Sequence, residues 1–299
     1  QTFKAEKIST IKAQKANYQK NKVEETQFEM LKKLELTNSD HLRIVRHCKK
    51  KNIKFLSTAF DLEGIDFLNN IGIDIFKIPS GEIDNYCYLE KVSLQDSPVI
   101  LSTGMSTMSE IESALNILTS KKLSINDITV MHCNTEYPTP MQDVNLKAML
   151  TIKEHFNVKV GYSDHTLGIE VPTAAVALGA KVIEKHLTLD KLMQGPDHAC
   201  SVEPDELKEM VNSIKNIEMA CSGSGIKEPS KSEIKNKLIV RKSLFLKKNV
   251  KKGDMLTKDM IISLRPGDGI SPMELPNLVG KTSNKDLEIL TKINNEDFE

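Results

Sequence analysis

Two histidines, His165 and His186, stand at the ends of two β-branched runs, VKVGYSD at 158–164 and KVIEKHL at 181–187. Side chains alternate along a strand, so Val182, Glu184 and His186 share one face while Ile183, Lys185 and Leu187 share the other. Ser163 and His165 share parity in the same way. Adjacent parallel strands lie about 4.8 Å apart, close enough for two imidazoles to converge on one ion. Two imidazoles with water and substrate oxygens suit a labile divalent cation such as Mn²⁺. They are too few for a closed structural zinc site. The other reading of the pair is two hydrogen-bonded structural histidines. Asp164 either orients His165 from behind or stands in water. Glu184 on an inward face needs a polar substrate or a cation, and a salt bridge with Lys77 would also serve.

Hydroxyls form a second pattern. Thr58, Ser80, Ser102 and Ser163 end four runs, and Lys77 has inward parity in one of them. Short donors around one ammonium suit a phosphate, although Ser and Thr also simply begin loops. Lys77 fits a rival chemistry too, the Schiff base of a class I aldolase. Lys185, on the opposite face, reads as structural. Tyr137 in YPTP (137–140) would be held rigidly over such a pocket, and Asp197 and His198 in QGPDHA (194–199) could bond a polyol. Either loop can equally be a plain turn.

The elements that would position these groups follow a rhythm. The runs KFLST (54–58), IDIFKIPS (73–80), PVILSTG (98–104), ITVMHCNT (128–135), VKVGYSD (158–164) and KVIEKHL (181–187) start about 20–30 residues apart, the length of a strand-plus-helix unit. Helical periodicity fills the gaps at Ser106–Leu118 and Leu167–Leu178, with Gly179 as a stop. Nearly every run ends in polar residues. A (β/α)8 barrel gathers those ends on one face, whereas an open doubly wound sheet concentrates them at one switch point. No GxGxxG follows a strand, which removes support for a dinucleotide enzyme. The spacing therefore predicts a barrel, with six clear strands and Gln1–Phe3 as the tail of a seventh. The expected divisions are a barrel domain at 1–221, an exposed connection at 222–237 and a small, mainly β unit at 238–299. The basic, polar stretch Lys12–Lys22 reads as a surface loop.

Composition sets limits on partners. The 299 residues carry 41 Lys plus Arg against 41 Asp plus Glu, a balance that gives nucleic acid or an acidic membrane little to hold. No apolar run approaches the roughly 18 residues of a membrane span. The five cysteines form no CxxC pair and read as free thiols in a reducing cytoplasm.

Taken together, SGE (80–82), LSTGM (101–105), HCNTEYPTP (132–140), GYSDHTLG (161–168), IEKHLTLD (183–190) and QGPDHACSVEP (194–204) occur in an order that resembles the sialic acid synthase family. The likeness is close to bacterial N-acetylneuraminate synthases. The tail is similar to that family's antifreeze-like (SAF) domain, including RPGDG (265–269) and LVGK (278–281). The resemblance implies a (β/α)8 TIM barrel followed by a SAF domain. It implies condensation of phosphoenolpyruvate with N-acetylmannosamine to give N-acetylneuraminate and phosphate. Legionaminate or a related nonulosonate, made from another N-acetylated amino sugar, is the alternative, and PDHA (196–199) looks like either branch more than the pseudaminate one. An inactive binding module is a further alternative.

Residue by residue, the resemblance implies metal ligation by His165 and His186, with Mn²⁺ first and Mg²⁺ or Co²⁺ as substitutes. Phosphoenolpyruvate contacts match Thr58, Lys77, Ser80, Ser102, Ser163 and Thr135; sugar contacts match Glu82, Tyr137, Glu184 and Asp197. Glu184, Glu82 and His186 carry the implied catalytic roles. A domain-swapped homodimer would send Arg265 into its partner's sugar site. The family's first strand, first helix and most of the second strand have no counterpart here, so the chain reads as missing its N-terminal part.

Overall fold

A computed structural model describes residues 1–15 and 26–299; most of the stretch expected to be a basic surface loop, residues 16–22, lies outside them. The chain divides into two compact units, Gln1–Gly223 and Ser224–Glu299.

The first unit is built on five parallel strands, β1 (Phe76–Ile78), β2 (Val99–Ser102), β3 (Ile128–Cys133), β4 (Lys159–Asp164) and β5 (Ile183–Lys185), in sequence order. Helices join successive strands, Tyr86–Ser93, Met108–Leu118, Lys147–Phe156 and Glu170–Ala177 among them. Isolated parallel bridges carry the sheet further at both ends, Thr58 to Lys77 and Thr2 to Ala59 on one side and Leu187 to Val202 on the other. The expected strand tail at Gln1–Phe3 is thus a bridging segment: the Thr2 N–H donates to Thr58 O at 2.8 Å, and the Phe60 N–H donates to Thr2 O at 3.1 Å. The run 54–58 forms no ladder of its own and pairs only at its end.

Alternation sorts each strand into two faces. Phe76 and Ile78, Val99 and Leu101, Ile128 and Val130, and Val160 and Tyr162 are buried in one core with Leu115, Leu118, Met149 and Ile152 from the helices. Each large side chain so buried contributes about 1.5–3 kcal/mol. The opposite parity carries Lys77, Ser102, Cys133, Ser163 and Glu184. Helix starts are fixed by their own sequence. Thr107 caps Met108–Leu118 through a capping box with Glu110, so the helix begins two residues after the expected Ser106.

The second unit pairs β6 (Ser243–Leu246) antiparallel with β7 (Ile261–Leu264). Leu244, Leu246, Val250, Leu256, Leu278, Ile293 and Phe298 form its core. Lys231–Val240, which overlaps the expected connection, is helical.

Candidate active site

Register places the chemistry. Ser163 lies opposite Glu184 in the β4–β5 ladder, and Cys133 lies opposite Ser163 in the β3–β4 ladder. The inward residues of three neighbouring strands therefore end at one level. Lys77 reaches in from β1, with its Nζ 3.0 Å from Glu184 Oε2 and 3.2 Å from Oε1. Ser163 Oγ donates to Glu184 Oε1 at 2.8 Å. Burial pushes the Glu184 carboxyl up, but the Lys77 charge, its hydrogen bond and Ser163 together hold it below the usual carboxylate range. The salt bridge anticipated for this pair is present.

The two imidazoles meet beside that pair. The His165 and His186 ring centroids are 5.4 Å apart and nearly perpendicular, at 84°. His165 Nδ1 lies 2.5 Å from the Asn134 carbonyl oxygen. A carbonyl only accepts, so Nδ1 carries the proton and Nε2 keeps its lone pair. Burial pushes the His165 pKa down, which favours the neutral ring. Tyr137 covers it, with centroids 4.1 Å apart, and the Thr139 N–H of the same loop donates to His165 O at 2.9 Å. His186 Nδ1 lies 3.7 Å from Asp197 Oδ2. No cluster of three or more His, Cys, Asp or Glu suited to a metal occurs among the described residues. Two imidazoles meeting from adjacent strands fit an open divalent site completed by substrate and water, not a closed structural one.

The hydroxyl set lies on the neighbouring strand ends. Thr58 bridges to Lys77. Ser80 Oγ accepts from the Gly104 N–H at 2.9 Å and lies 3.3 Å from Cys133 Sγ. Thr135 packs against the same glycine: a Cβ at Gly104 would come within 2.6 Å of Thr135 Cγ2. Ser102 is 3% exposed, and its Oγ has no hydrogen-bond partner among the described residues. A buried hydroxyl left unpaired costs about 1–3 kcal/mol unless a ligand satisfies it.

Three sequence-based candidates lie apart from these contacts or differ from expectation. Glu82 sits in the turn Ser80–Glu82 and accepts from Asn85 Nδ2 at 2.6 Å; burial pushes its carboxyl up. Arg265 follows β7 in the second unit, where its Nε donates to Val240 O at 2.9 Å. Asp164 is not in water. It is wholly buried and paired with Lys185 at 2.6 Å on the helix side of the sheet. Parity had already put Lys185 there. The Asn134 carbonyl is a contact to an imidazole that the sequence did not suggest, because backbone acceptors carry no residue-type signal.

Two family models divide the chain: the NeuB family matches residues 1–227 and the SAF domain matches residues 241–299. The chain belongs to the NeuB family. It is 51% identical to the N,N'-diacetyllegionaminic acid synthase of Campylobacter jejuni over 95% of this chain and 86% of that protein. It is 45% identical to the protein of the same name from Legionella pneumophila, over 98% and 83%. Among solved structures, the N-acetylneuraminic acid synthetase of Leptospira borgpetersenii superposes with a TM-score of 0.66 at 38% identity, covering 70% of this chain and 72% of that one. The parallel sheet is thus that of a TIM-barrel-like synthase with a C-terminal SAF domain. The chain is an enzyme of the nonulosonic acid synthase class. No helix among the described residues is long and apolar enough to cross a membrane.

Proposed function

We propose that this enzyme condenses phosphoenolpyruvate with an N,N'-diacetylated amino sugar, in its open-chain aldehyde form, to give a legionaminate-type acid and phosphate. The relatives favour this alternative over the N-acetylneuraminate reading, since the legionaminic acid synthases stand at 51% and 45% identity. The observation that carries the reaction type is the cluster of Lys77, Ser163, Glu184, His165 and His186 on one face of the strand ends.

In this reading Lys77 and the hydroxyls of Thr58, Ser80, Ser102, Ser163 and Thr135 hold the phosphate and carboxylate of phosphoenolpyruvate, fixing its methylene carbon toward the aldehyde. His165 and His186 would hold a divalent cation, Mn²⁺ in preference to Mg²⁺ or Co²⁺; when bound, it polarises a carbonyl as a Lewis acid. The methylene carbon forms the C–C bond to the aldehyde carbon, whose oxygen takes up a proton. Water adds to the adjacent carbon with loss of a proton. The C–O bond to phosphate then breaks, leaving the 2-oxo acid and inorganic phosphate. Glu184, ionised beside Lys77, is suited to accept a proton; Glu82, pushed up by burial, is suited to give one. Tyr137 and Asp197 flank the imidazoles, where they would orient the sugar. The Lys77 Nζ is engaged by Glu184, which disfavours the Schiff-base alternative. A cytoplasmic homodimer that lends Arg265 to its partner's sugar site completes the proposal.

The test is phosphate release and product mass with phosphoenolpyruvate, Mn²⁺ and either an N,N'-diacetylated amino sugar or N-acetylmannosamine. The diacetylated sugar should give the higher kcat/KM. Preference for N-acetylmannosamine would overturn the substrate assignment, and absence of phosphate release with either would overturn the reaction.

A further inference from the structure

On the far side of the same two strands lies a second charged pair that the reaction does not use. Asp164 and Lys185 are opposite each other in the β4–β5 ladder, one residue beyond Ser163 and Glu184. Their side chains are 0% and 2% exposed, with Nζ 2.6 Å from Oδ2. Asp164 Oδ1 also accepts from the Thr166 N–H at 3.0 Å, and its two oxygens accept from Thr166 Oγ1 at 2.9 and 3.1 Å. Lys185 Nζ donates in turn to the Thr166 carbonyl. The network therefore encloses His165 in sequence, gripping residues 164 and 166, and ends on the residue that precedes His186. Removing one partner of such a pair leaves a buried charge uncompensated, whereas apolar replacements of similar size often leave stability unchanged. What an ion pair provides and an apolar pair does not is direction: it opposes sliding of β5 along β4 from the outer face, beside the backbone ladder and the Ser163–Glu184 bond on the inner one. That sliding coordinate is also the one that sets the distance between the two imidazoles.

We infer that Asp164 and Lys185 are positioning residues for the His165–His186 site, locking the β4–β5 register from outside so that the two rings present their nitrogens together. The inference deepens the metal reading above and rests on it only for its second readout.

The test uses Asp164→Asn combined with Lys185→Met. Asn keeps an acceptor for Thr166 and Met keeps the lysine's volume, while the cross-strand bond is lost. The first readout needs no metal: histidine ring resonances of the isotopically labelled protein, with the two site histidines assigned through His165→Ala and His186→Ala. The His165 and His186 lines should move while those of His41 and His132 stay in place. Unmoved His165 and His186 lines in the folded double variant would overturn the inference. Should the double variant fail to fold, Lys185→Arg retains the charge but moves the bond, and unmoved lines there overturn it equally. The second readout is Mn²⁺ affinity by electron paramagnetic resonance, expected to weaken about 10- to 100-fold, with phosphoenolpyruvate affinity unchanged. Unaltered Mn²⁺ affinity counts against the inference. A parent protein that binds no Mn²⁺ overturns the metal reading instead, and the ring resonances then decide the positioning role.

Discussion

Lys77 and Glu184 are joined across the inner face of the sheet at 3.0 Å, from strands with three others between them in its order. The lysine side chain is 6% exposed and the carboxylate side chain 40% exposed, so the lysine depends on the bond more than the glutamate does. Lys77→Met should weaken phosphoenolpyruvate binding by about 10- to 100-fold, the range for losing a charge-assisted hydrogen bond, as measured by calorimetry. It should also change the acid limb of stability. The folded-state pKa of Glu184 is lowered, so its stabilising contribution is present above the unfolded value of 4.5 and is lost as pH falls through the folded one. The parent Tm should therefore fall below about pH 4.5 more steeply than that of Lys77→Met. Parallel Tm profiles between pH 6 and pH 3 would contradict the assigned cause.

The imidazole pair makes a separate prediction. His165 turns Nδ1 to the Asn134 carbonyl and its Nε2 toward Ser163 Oγ at 3.5 Å, with the His186 ring alongside. His165→Ala and His186→Ala should each abolish saturable Mn²⁺ binding and lower phosphate release by on the order of 10² or more. A chelator should abolish release by the parent, and added Mn²⁺ should restore it. Full turnover in excess chelator, with metal content verified, would overturn the role.

The alternation of Phe76, Lys77 and Ile78 shows what was legible in the sequence. Period-two parity separates the helix-packed face from the polar one, and the polar strand ends mark the level at which Lys77, Ser163, Glu184 and the two imidazoles meet. Parity says which face a residue takes, but not which residue of the next strand it meets. Asp164 meets Lys185 only at the observed register, which parity does not report, so the sequence offers Asp164 as a loop or orienting carboxylate without naming its partner. The run Lys54–Thr58 has strand composition yet joins the sheet only through the bridges of Thr58 and Ala59. Its exposed Leu56 and its Lys54–Asp74 ion pair lie on the surface, where composition alone does not make a ladder.

Ser102 separates binding from stability. Its hydroxyl is buried without a partner among the described residues, so Ser102→Ala should leave the fold unchanged or stabilise it by up to about 1–3 kcal/mol. The same change should weaken phosphoenolpyruvate binding about 10-fold or more, because a donor to an anionic oxygen is lost. Thermal unfolding and calorimetry on one pair of proteins give both numbers. A lower Tm with unchanged affinity would mean that the hydroxyl serves the fold and not the ligand.

Gly104 brings the backbone close to the strand-end hydroxyls. A methyl group there would lie 2.6 Å from Thr135 Cγ2, 2.9 Å from Ser80 Oγ and 3.1 Å from Cys133 Sγ. All three neighbours belong to the strand-end cluster, and Ser80 accepts the glycine's own N–H. Relief must come from moving Ser80 and Thr135, since Cys133 is anchored in β3. Gly104→Ala should therefore cost about 1–3 kcal/mol of stability, as overpacking does, and raise the KM for phosphoenolpyruvate more than the KM for the sugar. Thr135→Ser, which removes the nearest methyl group, should recover part of both losses when added to Gly104→Ala. Equal increases in the two KM values, with no recovery in the double variant, would show that the glycine serves the fold generally and not the phosphate-side hydroxyls.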